Sequence, residues 1–272
     1  AAHNTHGSIE EINGQWYVFY HRPPRGFGNA RQAMVAPVKI TWDKKKVADG
    51  GQVRITGYDP YIKGNEWTAS ASDGTCYTGA EVTSEGFQIY GLPPYAYYSA
   101  GYACYVTGYQ WMQDNHDVWS NHMDLAGITN RGIVGFKYFG FGGLEKGNKG
   151  LPAFDGTRKG DGTTLCLNLT PGGHGAFKIR VMLDGPYAND TWNGREIAVV
   201  EVPADAPRVA TTYSVAVPAV EDLKGKHAIY LVAEGPEVQQ PQPRQQQWGR
   251  QQQPERPVGL FDLHGIGFAK PG

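Results

Sequence analysis

Residues 6–22 read HGSIEEINGQWYVFYHR, and this stretch decides the fold class. Asn13-Gly14 is a strong two-residue hairpin signal, because both positions tolerate the positive φ that a tight β-turn needs. The run before it, Gly7 to Ile12, favours strand, and so does the run after it, Gln15 to His21, which is aromatic and β-branched. The chain therefore opens inside a β-meander.

Working outward, the same signal repeats. Arg31 to Thr41 and Val47 to Thr56 complete four strand-like pieces, a propeller blade's worth of antiparallel sheet. Residues 57–98 are rich in Gly, Ser, Tyr and Pro and have poor periodicity, which predicts a connector. Alternating runs return at Ile133–Phe141, Thr163–Leu169, Ala176–Leu183, Glu196–Val202, Thr211–Val217, His227–Ala233 and Leu260–Phe268. Strands at this spacing predict a β-sandwich, jelly-roll-like, over residues 99–272. Residues 237–257, EVQQPQPRQQQWGRQQQPERP, cannot bury enough apolar area to offset their ordering entropy and predict a solvated loop carrying Trp248.

Composition agrees with an all-β chain. Of 272 residues, 37 are Gly and 18 are Pro, roughly a fifth against about 12% in average usage, so turns are frequent and helices scarce. A formal net charge of −1 leaves no electrostatic footprint for nucleic acid or an anionic membrane. The longest purely apolar run, Ala228 to Ala233, is too short to span a bilayer as a helix. Residue 1 is not Met and no signal segment is seen, so a processed, truncated or fragmentary chain is expected. Cys76, Cys104 and Cys166 are an odd set without C-x-x-C spacing, which disfavours zinc or redox pairs. Cys76 with Cys104 is the first disulfide to test; buried thiols are the equal alternative.

No G-x-S-x-G elbow, H-E-x-x-H helix, P-loop or complete G-x-G-x-x-G is present, which removes the common hydrolase, zincin and nucleotide readings. The acidic residues are scattered, so composition nominates no catalytic carboxylate pair.

HGSIEEINGQWYVFYHR followed by ARQAMVAPVKITWD (residues 30–43) resembles the last blade of the five-bladed propeller of family 43 glycoside hydrolases. Such enzymes act on arabinose- and xylose-containing polysaccharides. The resemblance implies four further blades of the same protein as partners, and secretion or a periplasmic location. It places His6 near the propeller axis, beside a calcium ion held largely through water, and Arg31 in the sugar pocket, where its fork of donors suits hydroxyl or carboxylate recognition. The alternatives are a His6 that caps the meander and an Arg31 on the plain surface. The family cleaves with inversion, using carboxyls about 6.5–9.5 Å apart around a water. Those carboxylates come from earlier blades, so none is assigned here and this chain alone is expected to be inactive.

GIVGFKYFGFGG (132–143), KIRVMLDGP (178–186), REIAVVEVP (195–203) and KHAIYLVAEG (226–235) with LFDLHGIGF (260–268) resemble, in this order, a family 6 carbohydrate-binding module. The resemblance implies a plant cell-wall polysaccharide or oligosaccharide as ligand. That family grips sugar at the sandwich edge between a Tyr and a Trp. Here Gly127 stands at the Tyr position, and ADAPRVATTY (204–213) replaces the Trp segment. Two lost stacking surfaces of about 0.5–1.5 kcal/mol each imply a site about ten- to a hundredfold weaker. Asp262 and His264 stand where a ligand-binding Asn and an acidic calcium ligand are usual, which disfavours calcium in the sandwich. Asp262 remains a candidate sugar acceptor, or an end-of-strand turn former. Trp192, within ANDTWNG (188–194), is the substitute sugar platform, with packing on a sheet edge as its alternative. The runner-up for the whole chain is a non-catalytic sandwich that binds carbohydrate or only packs.

Overall fold

The computed structural model describes residues 6–22, 32–42, 53–57, 68–70, 76–78, 83–107, 111–114, 123–147, 162–240 and 257–270. The chain is all-β, as its punctuation predicts, with only short 3₁₀ turns besides strands among these residues. No described helix is long and apolar enough to cross a membrane.

The first sheet contains β1 (Gly7–Ile12), β2 (Gln15–Arg22), β3 (Gln32–Trp42) and β4 (Val53–Gly57), each antiparallel to the one before. Asn13 and Gly14 take φ of 52° and 81°, the mirror-image turn that matches strand twist. The predicted connector is not strand-free. β5 (Thr68–Ser70) and β6 (Cys76–Thr78) form a small hairpin, and β6 joins β4 in parallel, giving the order β1-β2-β3-β4-β6-β5. Such three-residue strands carry too little alternation to be read from sequence; their neighbours supply the pairing that makes them strands.

The remaining strands form two antiparallel sheets. One runs β14 (Arg195–Val202), β13 (Phe177–Leu183), β16 (Gly225–Glu234), β11 (Ile133–Phe141), β8 (Tyr105–Val106). The other runs β15 (Thr211–Ala216), β12 (Thr164–Pro171), β17 (Phe261–Ala269), β10 (Met123–Ile128), β9 (Trp111–Asp114), with β7 (Tyr98–Ser99) also on β17. Between them lies one continuous core including Phe136, Phe139, Leu167, Ile179, Leu231 and Phe268, all at most 1% exposed. A bulge in β11 between Phe136 and Phe139 is what allows both to face inward. Without the extra residue, strict alternation would turn Phe139 and Phe141 outward. With it, both rings meet Phe268 edge-on at 5.3 and 5.7 Å, and Tyr138 goes to the outer face with Ile133, Met182 and Tyr230.

Residues 83–92 fasten the first sheet to the sandwich. Thr83 Oγ1 donates to the Val35 carbonyl at 2.5 Å, the Asn13 amide donates to the Tyr90 hydroxyl, and Phe87 lies 5.9 Å from Phe19. On the sandwich side the Ser84 N–H donates to the Lys137 carbonyl, and Leu92 N–H donates to the Tyr138 carbonyl at 2.8 Å. Glu85, 1% exposed, pairs with Lys226 Nζ at 2.5 Å. That ammonium also sits 5.0 Å over the Tyr138 ring. A buried carboxylate is tolerable only with such a partner.

Cys166 is a buried thiol, to which the Ser214 hydroxyl donates at 3.5 Å. The Cys104 thiol is 3.5 Å from the Gly135 carbonyl. The Cys76 side chain lies outside the described residues, and with it the proposed pairing.

Candidate functional site

The four residues singled out from sequence do not converge. Arg31 lies outside the described residues, as do Trp248 and most of the Gln-rich segment. His6 is exposed, with its ring 6.0 Å from His21 at the open end of the β1–β2 hairpin. Two imidazoles offer nitrogen donors, which calcium does not favour. No group of three or more His, Cys, Asp or Glu side chains that could hold a metal occurs among the described residues. Among the described residues, therefore, none form a calcium site by direct ligation.

Asp262 belongs to β17, and its Oδ1 accepts the Gly127 N–H at 2.7 Å, holding the bulge that interrupts β10. Gly127 has φ +67°, and a Cβ there would lie 2.7 Å from the Pro257 Cβ. No aromatic residue fits at this position, because the chain's own Pro257 fills the space. Beside it His264 Nε2 shares a hydrogen bond with Thr170 Oγ1 at 2.8 Å, and its Nδ1 is 3.0 Å from Asp124 Oδ2. The position thus carries an imidazole beside a carboxylate rather than an oxygen cage. Tyr97 covers Gly265 on the same face, and burial, reinforced by the Asp124 charge, pushes its phenol up to about 12.

Trp192 is on the other sheet. It sits in a tight loop, residues 184–194, whose construction is local and polar. Asn189 Oδ1 accepts the Thr191 and Trp192 N–H groups at 3.2 and 3.0 Å, and Gly194 N–H donates to the Tyr187 carbonyl at 2.8 Å. The base closes where Gly185 and Gly194 meet; a Cβ on Gly194 would stand 2.0 Å from the Gly185 oxygen. Asp184, at φ +63°, anchors the loop by accepting from the Ala228 N–H at 3.1 Å and from His227 Nδ1 at 2.9 Å. That hydrogen bond raises the His227 pKa, with the Asp184 charge adding to it and burial opposing.

So held, the half-buried Trp192 meets Tyr105 and Tyr230 edge-on, at 5.8 and 6.2 Å. Tyr230 in turn covers Gly135, where a Cβ would meet its ring at 2.6 Å. The alternative raised from sequence, packing on a sheet, is what these contacts describe, yet the same loop leaves Tyr187 42% exposed. Beside Tyr187 the outer face of the β13–β16–β11 sheet opens into a cavity of about 440 Å³, lined among others by Arg131, Arg180, Val232 and Glu234. This is within the range of small-molecule sites. Arg131 and Tyr187 were not legible as a pair, being 56 positions apart in sequence. The available signals were Asn130-Arg131-Gly132, a turn, and Gly-Pro-Tyr in a loop.

Fold and site together define a class: an all-β chain in which a blade-like sheet is joined to a β-sandwich with a cleft on its outer face. No family model matches the chain. A xylosidase/arabinosidase of Thermoclostridium stercorarium is 24% identical over 247 residues, which is 85% of this chain and 40% of that protein. A glycoside hydrolase family 43 arabinoxylan arabinofuranohydrolase from Bacillus subtilis, solved with cellotetraose, is 16% identical with a TM-score of 0.46 over 98% of this chain and 41% of that one. CsCBM6-3 from Clostridium stercorarium, solved with cellobiose, is 12% identical with a TM-score of 0.40 over 66% of this chain and 97% of that one. The chain thus spans about 40% of the length of the xylosidase/arabinosidase it matches. The sequence likeness to the xylosidase/arabinosidase covers 85% of this chain, and so runs through both the first sheet and the sandwich.

Proposed function

We propose that this chain is the C-terminal part of a polysaccharide-degrading glycoside hydrolase that cleaves arabinosyl or xylosyl linkages outside the cell, and that its module holds carbohydrate against the outer cleft beside Trp192. One observation carries the reading. The relationship to a xylosidase/arabinosidase runs for 247 residues, through both the blade and the sandwich, rather than through one of them. In the assembled propeller Arg31 faces the sugar pocket. His6 reaches an axial calcium only through water, since imidazole is a poor direct ligand for it. The cleft supports a sugar role because the exposed Tyr187, in the loop that also carries Trp192, offers ring surface beside the polar donors of Arg131 and Arg180, the composition that sugar faces require.

The coding sequence upstream of Ala1 tests the enzyme reading. It is expected to encode further blades with two Asp and a Glu in the family's positions, and the complete product is expected to release pentose from arabinoxylan. The chain alone is expected to give no turnover on arabinoxylan or aryl glycosides. Turnover by the chain alone, or an upstream sequence without those carboxylates, overturns it.

A further inference from the structure

The cavity beside Tyr187 is built around two guanidinium groups. Arg131 occupies a left-handed backbone conformation, φ +61°, at the β10–β11 turn. A non-glycine residue there is strained, and such strain persists only where surrounding structure over-determines it. Here four hydrogen bonds do so: Arg131 N–H to the Ala233 carbonyl at 2.8 Å, Gly132 N–H to Thr129 at 2.9 Å, Ala233 N–H to Gly132 at 2.9 Å, and Gly235 N–H to Asn130 Oδ1 at 3.1 Å. The Asn130 amide also donates to Glu237 Oε1 at 2.7 Å, so that carboxylate is already engaged. Arg131 itself is exposed and has no side-chain hydrogen-bond or ion-pair partner among the described residues.

Arg180, across the cavity on β13, donates through Nε to Glu196 Oε2 at 2.6 Å. Its terminal nitrogens have no hydrogen-bond partner among the described residues. Of the charged side chains lining the cavity, two are Arg and one is Glu234, a balance of 2 − 1 = +1. Tyr187 supplies the ring surface and Val232 an apolar floor.

Resting on the reading that this cleft takes carbohydrate, we infer that its ligand is an acidic sugar: a hexuronate unit carried on a pentose-based oligosaccharide. A carboxylate is the group a guanidinium fork recognises best. Glu234 suits the hydroxyl groups of the same ring, because a carboxylate accepts what a hydroxyl donates. A neutral pentose chain would leave the Arg131 charge unanswered.

The whole chain is titrated by calorimetry with xylotetraose, with a glucuronosyl-xylotriose, and with the methyl ester of the latter. The acid is expected to bind at least about tenfold more tightly than either neutral ligand, with the advantage shrinking in high salt. Arg131→Gln, at an exposed position, is expected to abolish the preference while neutral binding persists; Arg180→Gln is expected to reduce it. Equal affinity for the acid and its ester, or a preference that survives both substitutions, overturns the acidic-sugar inference and leaves the carbohydrate reading standing. Failure of all three ligands to bind overturns both.

Discussion

The two sheets of the sandwich seal one core between them, from Leu92 through Phe268, whereas the first sheet buries few described side chains beyond Val35 and Val38. Every β2 residue from Trp16 to His21 is half-exposed, on both faces, and β1 is exposed along nearly its whole length. Equal hydrophobicity of strands therefore does not mean equal burial. A two-layer sandwich supplies its own second face, while a propeller blade depends on the blades beside it. The sandwich thus carries its own core, whereas the first sheet is fastened to it, among the described residues, chiefly through residues 83–92.

Substitutions should separate the two regions. Phe136→Ala removes a fully buried ring from the sandwich core and should cost about 4 kcal/mol, seen as a lower urea midpoint for the whole module. Lys226→Ala removes the ammonium that pairs with the buried Glu85 carboxylate and should cost about 3 kcal/mol. Limited proteolysis should then cut first within residues 83–92, and equal cutting in wild type and variant would show that the pair does not hold the strap. Gly127→Tyr, which reinstates an aromatic at the sandwich edge, should destabilise by about 2 kcal/mol, since it adds both positive-φ strain and overpacking against Pro257. It should add no sugar affinity by calorimetry.

A smaller effect follows from His227. Its pKa is raised in the folded chain by Asp184, so the pair's contribution is fully present below the unfolded value of 6.5 and is lost as pH rises through the folded value. Being partly exposed, it is worth about 1 kcal/mol or less. Urea midpoints measured from pH 5.5 to 8.5 should fall slightly with pH in the wild type and less in Asp184→Asn. Smallest of all, Ile9→Thr, at a position 40% exposed on β1, should stay within about 0.5 kcal/mol of wild type; a larger loss would mean that the blade has its own core.

What was legible follows from the same physics. Residues 6–22 announce a hairpin because the Asn-Gly turn and the aromatic, β-branched run after it agree there, and Ile133–Phe141 is legible because its apolar and aromatic residues, broken by Lys137 and two Gly, run for nine positions. β7 to β10 were not, because strands such as Tyr98–Ser99 and Tyr105–Val106 are two residues long and exist by pairing with β17 and β11. Trp192 was visible as a Trp amid Asn and Gly, but its neighbours Tyr105 and Tyr230 are remote in sequence and meet it only through sheet register. Gly127 was visible as a departure from the module pattern; its cause, Pro257 lying against it, belongs to a chain segment more than a hundred positions away.

Residues 83–92 also set how the module is presented. A flexible linker of ten residues would let its ends wander over about 17 Å, so a tethered module would sample many placements at a moderate local concentration. Here both flanks of the segment are bonded, to Val35 on one side and to β11 on the other. The search volume collapses to nearly one orientation, and any gain from holding a polymer becomes all or none. On the proposed carbohydrate reading, a polysaccharide that met both the cleft and the first sheet in that one geometry would be held at high effective concentration, and one of another shape would gain little.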